Sequence, residues 1–388
     1  MNPNPLPGVH DRMPGSKHAR RVLAVWVLWE RNKWPRFITL GEERADGASA
    51  RSCSHGSVSD PGNEMTTDNH TVVRRRKVVV VGAGAVGSTY CYALAHSGLA
   101  EEVAVIDKNA GLAQGQVLDL AHGQAFFPTV SIRVGTPHDY ADAQVIVITA
   151  GAAQRPGETR LQLLRKNAAV IRGIVDDIVS RGSGGVILVV SNPVDILTHV
   201  AAMRAGYERG RVIGSGTVLD SIRFRHLLSR KCQVDIHNVH AYILGEHGDS
   251  EFAAWSMTHI AGMQIDKYCP ACGQCADWMA ERRQIEQQVR DSAYHIIEYK
   301  GATNFAIGLA LVRITGAILR AERSVLTVST MLDGEFGLAG VCLSVPAIVS
   351  ENGVAGIIES PLPEHELAAL AGSASLLRKA MEELAVDE

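Results

Sequence analysis

The chain has 388 residues, with 38 Lys and Arg against 41 Asp and Glu for a net charge of −3, and 46% of its residues are hydrophobic. That length and apolar content exceed one small core and fit two domains that fold without staples, while the near-neutral charge supplies no overall basic field for nucleic acid or an anionic membrane. The 7 cysteines, an odd number at low density, exclude a secreted disulfide framework and fit a reducing, cytoplasmic compartment.

The first 76 residues differ from the rest. They carry 12 Lys and Arg against 8 Asp and Glu, a net +4 that leaves −7 for the remainder. They also hold Trp26, Trp29 and Trp34, yet show no sustained period beyond a short helix around 20–31. Residues 1–73 are therefore read as an N-terminal extension, disordered or belonging to a mis-assigned start, with Met65 as the alternative first residue. Whether residues 1–64 are translated is not legible in the sequence. The apolar run 22–29 is 8 residues long, whereas a bilayer crossing needs about 20. Charged residues from Arg31 to Arg44 separate that run from Ala48-Ser49-Ala50, so it is not read as a secretion signal.

From Arg76 apolar strands alternate with amphipathic helices, the signature of a doubly wound parallel sheet covered on both faces. Strands are expected at 78–81, 103–106, 132–134, 145–149, 186–190 and 212–214, with helices at 86–97, 110–121 and 161–180. After about residue 215 the order becomes mixed. Helices are expected at 219–229, 281–299 and 304–321, strands around 239–244, 325–330 and 341–348, and a final amphipathic helix at 363–384. The fold class is α/β, a Rossmann domain over 74–214 followed by an α+β substrate and catalytic domain over 215–388.

Gly82-Ala83-Gly84-Ala85-Val86-Gly87 follows four valines and opens a helix, the context that G-x-G-x-x-G requires. The first glycine permits the turn, the second lets a pyrophosphate touch backbone, and the third lets helix pack on strand. Phosphate then meets free N–H groups at a helix N-terminus. Asp107 ends the second strand 20 residues beyond Gly87, where a carboxylate accepts hydrogen bonds from ribose hydroxyls and repels a 2′-phosphate. The expected cofactor is NAD rather than NADP.

Four later segments add chemistry. Residues 150–160, with Pro156 and Gly157, follow the fourth strand as a mobile lid, and Asn192 follows the fifth strand at the same carboxyl edge. Asp220 and Arg223 share one face of a helix, and His247 lies between two glycines in Gly245-Glu246-His247-Gly248-Asp249-Ser250. Each has an ordinary explanation alone, as a surface ion pair or a loop histidine. Together they meet the needs of hydride transfer to a keto acid. Arg223 binds the carboxylate, Arg160 polarises the carbonyl, and His247 exchanges the proton with Asp220 fixing its tautomer.

From about Arg76 to the C-terminus the chain resembles the bacterial L-lactate dehydrogenases of the lactate/malate dehydrogenase family. The resemblance rests on the glycine fingerprint, the lid from Gln154 to Arg160, Asn192-Pro193-Val194-Asp195, the Asp220 to Arg225 segment, Gly245 to Ser250, and Lys300-Gly301-Ala302-Thr303. It implies reversible oxidation of (S)-lactate to pyruvate by NAD, in pyruvate fermentation, by a homotetramer. Catalytic roles fall on His247, Asp220 and Arg160, and substrate binding on Gln154, Arg160, Asn192, Arg223 and Thr303. Cofactor contacts fall on Gly82, Gly84, Val86, Gly87, Asp107, Gly151, Ala152 and Asn192.

Malate dehydrogenases share nearly all of this, so substrate choice rests on the position two residues before the lid proline. Here it is Gln154, whose neutral amide suits the methyl end of pyruvate, whereas a second carboxylate calls for arginine. Arg155 is adjacent, and a slip of one residue would exchange the reading toward malate or another L-2-hydroxy acid. An idle NAD-binding protein is the reading from another class; the presence of His247, Asp220 and Arg223 speaks against it.

The resemblance also places fructose 1,6-bisphosphate at Arg225 and His240 across a subunit interface, where a phosphate dianion relieves repulsion between cations brought together by symmetry. Cys269, Cys272 and Cys275 have C-x-x-C-x-x-C spacing, but only three ligands are evident and no histidine follows at finger spacing. They are read as part of a solvent-facing loop, with no metal assigned.

Overall fold

A computed structural model describes residues 75–152, 157 and 159–385. The N-terminal extension, where a short helix is expected around 20–31, lies outside the described residues, as do lid residues 153–156 and 158, Gln154 among them.

The first half builds β1 (Lys77–Val81), α1 (Ala85–Ser97), β2 (Glu102–Ile106), α2 (Ala110–His122), β3 (Ser131–Val134), β4 (Val145–Ile148), α3 (Arg160–Ser180), β5 (Val186–Val189), α4 (Val194–Ala205) and β6 (Val212–Gly214). These strands pair in parallel in the order β3-β2-β1-β4-β5-β6, the doubly wound dinucleotide-binding arrangement. Both faces of the sheet are buried, as the unbroken Val78 to Val81 run requires. Val79, Ile146 and Ile187 pack on one face with Ile171 and Leu197 from α3 and α4. Val78, Val80 and Val147 pack on the other with Tyr90 and Leu94 from α1.

The helix boundaries follow local chemistry. Asn109 caps α2 through a bond from Leu112 N–H, and Thr159 and Gln162 form a reciprocal capping box that starts α3. One helix here departs from the expected pattern. Helix α4 begins directly after Pro193 and buries most of its length, so it carries no polar stripe to mark it.

The second half contains α5 (Val218–Cys232), β7 (Val239–His240), β8 (Ile243–Leu244), β9 (Phe252–Ala253), β10 (His259–Ile260), β11 (Met263–Gln264) and α6 (Ile265–Cys272). Next come α7 (Trp278–Lys300), α8 (Phe305–Leu319), β12 (Ser324–Leu326), β13 (Ser329–Asp333), β14 (Ala339–Ser344), β15 (Ala347–Ser350), β16 (Gly353–Ile357) and α9 (Glu364–Ala385). Strands β13 and β14 extend the large sheet antiparallel beyond β6. The strand expected around 239–244 is two short strands with different partners, β7 pairing with β10 and β8 with β9.

The cysteine segment corrects the reading of a solvent-facing loop. Residues 265–272 are helical, and Cys269 is buried while Cys272 and Cys275 are half-buried. The apolar Ile265 anchors that helix in a third core cluster with Phe224, Trp255 and Ile285. Among the described residues no helix is long and apolar enough to cross a membrane.

Candidate active site

The glycine turn leaves room for a nucleotide. Gly82 has φ 109°, and a Cβ there would stand 2.7 Å from Thr149 Oγ1. A Cβ on Gly87 would stand 1.9 Å from the Gly82 carbonyl oxygen, so a side chain would push α1 off β1. A Cβ on Gly84 meets nothing within 4 Å, which leaves an open cradle at the helix start. Helix α1 has no side-chain cap and no acid in its first turn, so its leading N–H groups and dipole remain available to an anion.

Asp107 completes the cradle. Its two carboxylate oxygens accept from Ala83 N–H at 2.7 Å and Asn109 N–H at 2.8 Å, joining the end of β2 to the glycine turn. A fixed anion beside an uncapped helix start fits a dinucleotide with a free adenosine ribose. Val86 is partly buried against the core beneath this turn.

The carboxyl edge of β4 and β5 is held by a residue the sequence reading missed. Asn167 on α3 is buried; its Oδ1 accepts from Ala152 N–H at 2.8 Å and its Nδ2 donates to the Asn192 carbonyl at 3.0 Å. Ser191 Oγ donates to the Ala150 carbonyl at 2.6 Å. Gly151, Ala152 and Asn192 are thereby gathered at one sheet edge, with Asn192 exposed. No sequence motif marks Asn167, because its partners are backbone atoms brought close only by the sheet.

His247 is the centre of the second group. Its Nδ1 lies 2.7 Å from Asp220 Oδ2, and Arg223 Nη1 donates to Asp220 Oδ1 at 2.7 Å. Asp220 is 2% exposed at the side chain, Arg223 12% and His247 27%, so only the histidine retains substantial access to solvent. The other guanidinium nitrogens of Arg223 have no partner among the described residues.

The loop bearing His247 is anchored from three sides. Gly245 exchanges two backbone bonds with Ser344 on β14, at 3.0 and 3.1 Å. Ser250 meets Ser373 of α9 at 2.9 Å between hydroxyl oxygens. His247 N–H donates to Asp195 Oδ2 at 2.7 Å from the start of α4. Asp195 was visible in the sequence as part of a motif, but its task depends on this long-range contact.

The electrostatics separate the buried acids. Burial opposes charge on His247, yet the charge and hydrogen bond of Asp220 outweigh it and raise the imidazole to about 9. Burial alone would raise Asp220; the His247 and Arg223 charges and bonds hold it below the usual carboxylate range. Glu251, also buried, is pushed up to about 9 by burial and by the Asp220 charge. Potential proton-sharing atoms of Asp220, His247 and Glu251 lie within 4.8 Å of one another. Burial and the Asp220 charge thus favour the neutral form of Glu251, while the His247 and Arg223 charges favour the ionised form of Asp220. Asp195 is raised to about 6 by burial.

Two expected site residues are not drawn into this group. Arg160 is the first residue of α3, 86% exposed at the side chain, and stands 4.0 Å from Asp249. Thr303 is half-buried in the turn between α7 and α8, where the neighbouring Asn304 Nδ2 donates to Thr89 Oγ1 of α1 at 2.9 Å. Neither has a described contact with His247, Asp220 or Arg223.

Arg225 and His240 both lie next to Ala241, one through a hydrogen bond and the other in sequence. Arg225 Nε donates to the Ala241 carbonyl at 2.9 Å, its guanidinium stands 5.2 Å from the Tyr242 ring centre, and His240 is exposed on β7. Arg225 also lines a cavity of 320 Å³ with Tyr242, Arg313 and Leu326.

The chain matches the family described as lactate/malate dehydrogenase, NAD binding domain, over residues 76–214, and lactate/malate dehydrogenase, alpha/beta C-terminal domain, over residues 217–387. It is 59% identical over 312 residues to an L-lactate dehydrogenase of Treponema denticola, covering 80% of this chain and 99% of that protein. L-lactate dehydrogenase 1 of Clostridium acetobutylicum is 46% identical with the same coverage. Among solved structures, the minor L-lactate dehydrogenase of Enterococcus mundtii superposes with a TM-score of 0.77 at 42% identity, covering 80% of this chain and 98% of that one. A lactate dehydrogenase from a Medee basin deep-sea metagenome library gives a TM-score of 0.78 at 43% identity, covering 80% of this chain and 99% of that one. A fold, a nucleotide cradle and an anchored histidine on this scale of agreement have one reading: the chain belongs to the lactate/malate dehydrogenase family.

Proposed function

We propose that this chain is an NAD-dependent L-lactate dehydrogenase catalysing (S)-lactate + NAD+ = pyruvate + NADH + H+, in cytoplasmic fermentation of pyruvate. The observation that carries the reading is the hydrogen-bonded series Arg223–Asp220–His247 on an anchored loop. The choice of lactate over malate or another L-2-hydroxy acid is supported by relatives named L-lactate dehydrogenase, 99% of whose length the chain covers.

When bound, NADH supplies the hydride. His247 engages Asp220 through Nδ1, so Nε2 is the atom that gives its proton to the carbonyl oxygen, and takes it back in lactate oxidation. Asp220 holds the tautomer and stabilises the imidazolium. Arg223 keeps donors for the substrate carboxylate. Arg160, whose side chain is exposed at the start of α3, polarises the carbonyl as the last residue of the proposed lid. Asn192 donates an amide hydrogen bond, Gln154 meets the methyl end, and Thr303 lines the pocket. Residues 74–214 carry the nucleotide and residues 215–388 the substrate.

Fructose 1,6-bisphosphate acts as effector at Arg225 and His240 of a homotetramer. The support is that His240 is exposed beside Ala241, whose carbonyl accepts from Arg225 Nε. Steady-state NADH oxidation with pyruvate and with oxaloacetate, each with and without the sugar bisphosphate, tests the whole reading. Preference for pyruvate, stimulated at low substrate by the effector, supports it. Preference for oxaloacetate overturns the substrate, and unchanged pyruvate kinetics overturn the effector site.

A further inference from the structure

Two buried polar side chains hold the two ends of one short segment, residues 192–195, which leaves β5 and enters α4. At the first end stands Asn167 of α3, 3% exposed. Its Oδ1 accepts from Ala152 N–H at 2.8 Å, and its Nδ2 donates to the Asn192 carbonyl at 3.0 Å and to the Ala152 carbonyl at 3.4 Å. A carboxamide carries an acceptor and two donors on one planar group, so a single side chain serves both strand-end loops.

At the second end stands Asp195, 2% exposed in the first turn of α4. Its Oδ2 accepts from His247 N–H at 2.7 Å, and its Oδ1 lies 3.5 Å from the hydroxyl of Ser344, whose backbone is bonded to Gly245. The carboxylate thus reaches the catalytic loop at His247 directly and, through Ser344, at Gly245. Asp220 orients the imidazole ring from α5, whereas Asp195 fixes the backbone that carries the ring against the edge of the large sheet.

We propose that Asn167 and Asp195 are positioning residues, bracing residues 192–195 so that the cofactor-side loops at Ala152 and Asn192 and the proton-donor loop at His247 are held in one frame. The inference rests on the reading of His247 as proton donor and of Ala152 and Asn192 as cofactor contacts. Hydride and proton must arrive at the two atoms of one carbonyl, and they come from groups on different loops. A frame that joins those loops through buried hydrogen bonds sets the distance between the two sources, which neither loop fixes alone.

The test compares the full-length parent with Asp195→Ala, Asp195→Asn, Asn167→Asp and the double variant Asn167→Asp/Asp195→Ala. Values of kcat are taken at saturating NADH, and NADH affinity by fluorescence titration. Whichever of pyruvate and oxaloacetate the parent reduces faster serves as substrate, so an error in the proposed substrate shows in the parent alone and leaves this comparison standing. Asp195→Ala should lower kcat by roughly 100-fold, the scale of a misplacement of about 1 Å, with NADH affinity close to that of the parent. Asp195→Asn should recover most of the loss, because its amide oxygen accepts the same N–H. Asn167→Asp keeps an acceptor for Ala152 but donates to the Asn192 carbonyl only while its carboxyl is protonated. Its kcat should therefore decline as that carboxyl ionises, at lower pH than the decline near about 9 expected for the parent. Under those conditions the double variant should lose less than the product of the two separate losses, since one broken link already frees the loop.

Parental kcat in Asp195→Ala, no recovery in Asp195→Asn, a pH profile of Asn167→Asp that coincides with the parent's, or separate losses that simply multiply would each overturn the brace. Thermal unfolding at each assay pH checks that kcat is read on folded chains. If Asp195→Ala does not fold, the pH profile of Asn167→Asp, a change of nearly equal shape, decides the matter.

Discussion

Asp220 Oδ2 lies 2.7 Å from His247 Nδ1 while the other Asp220 oxygen accepts from Arg223, so one buried carboxylate aligns both the proposed proton donor and the proposed substrate anchor. The shared carboxylate makes its removal costly in two ways. It unlocks the tautomer of His247 and frees Arg223 to move.

Asp220→Asn should therefore lower kcat for pyruvate reduction by roughly 10³-fold or more, the scale seen when a triad carboxylate is replaced by its amide. Stopped-flow measurement of the first turnover checks this, since a loss confined to substrate binding would appear in KM alone.

Asp107→Ser should raise the KM for NADH by roughly tenfold to hundredfold, the worth of hydrogen bonds to a charged group. It should also improve NADPH as substrate, because the fixed anion that repels a 2′-phosphate is gone. Part of the loss will come from the turn itself, since Asp107 also accepts from Ala83 and Asn109. Initial rates with both cofactors separate the effects; an unchanged cofactor ratio would remove Asp107 from specificity.

Gln154→Arg should shift preference from pyruvate toward oxaloacetate by roughly 100-fold in the ratio of kcat/KM, as a guanidinium gains a carboxylate partner. If Arg155 is the residue that meets the variable end, Gln154→Arg will leave that ratio nearly unchanged. The comparison decides the register of the lid.

A separate prediction concerns stability at the far end of the sheet. Lys77 is 5% exposed and donates to Asp139 at 2.9 Å and Asp142 at 2.7 Å, while Arg133 also pairs with Asp139. Lys77→Met should cost roughly 3 kcal/mol, the low end for breaking a buried pair, because Arg133 still neutralises Asp139. Burial alone would raise Asp139, but its bonds to Arg133 and Lys77 hold it well below the ordinary carboxylate range. The contribution of that depressed group is present above about pH 4 and declines as pH falls toward the folded value. Urea unfolding at pH 7 and pH 3 should show a smaller difference between parent and variant at the lower pH.

The parallel sheet was legible because each of its strands is an apolar run bounded by turn residues, and the glycine cradle because its spacing and Asp107 are local. Helix α4 was not, since a helix buried on nearly every side has no amphipathic stripe. The strand expected over 239–244 divides because its two halves pair with different partners, which period alone does not reveal. At the site, His247, Asp220 and Arg223 were found from sequence, because their residue types and motifs are distinctive. Asn167, Asp195 and Glu251 escaped, because each acts through atoms far away in the chain.

The most direct test of the account is the pH dependence of kcat/KM for pyruvate at saturating NADH, measured in parallel for the parent chain and Asp220→Asn. Reduction needs the protonated imidazole, so the parent should be flat near neutrality and decline as pH rises through about 9, where His247 loses its proton. Loss of the neighbouring anion should move that decline to lower pH in the variant, because the charge that opposes the effect of burial is gone. A decline at the same pH in both proteins, or none in either, would contradict the assignment of the proton to His247 held by Asp220.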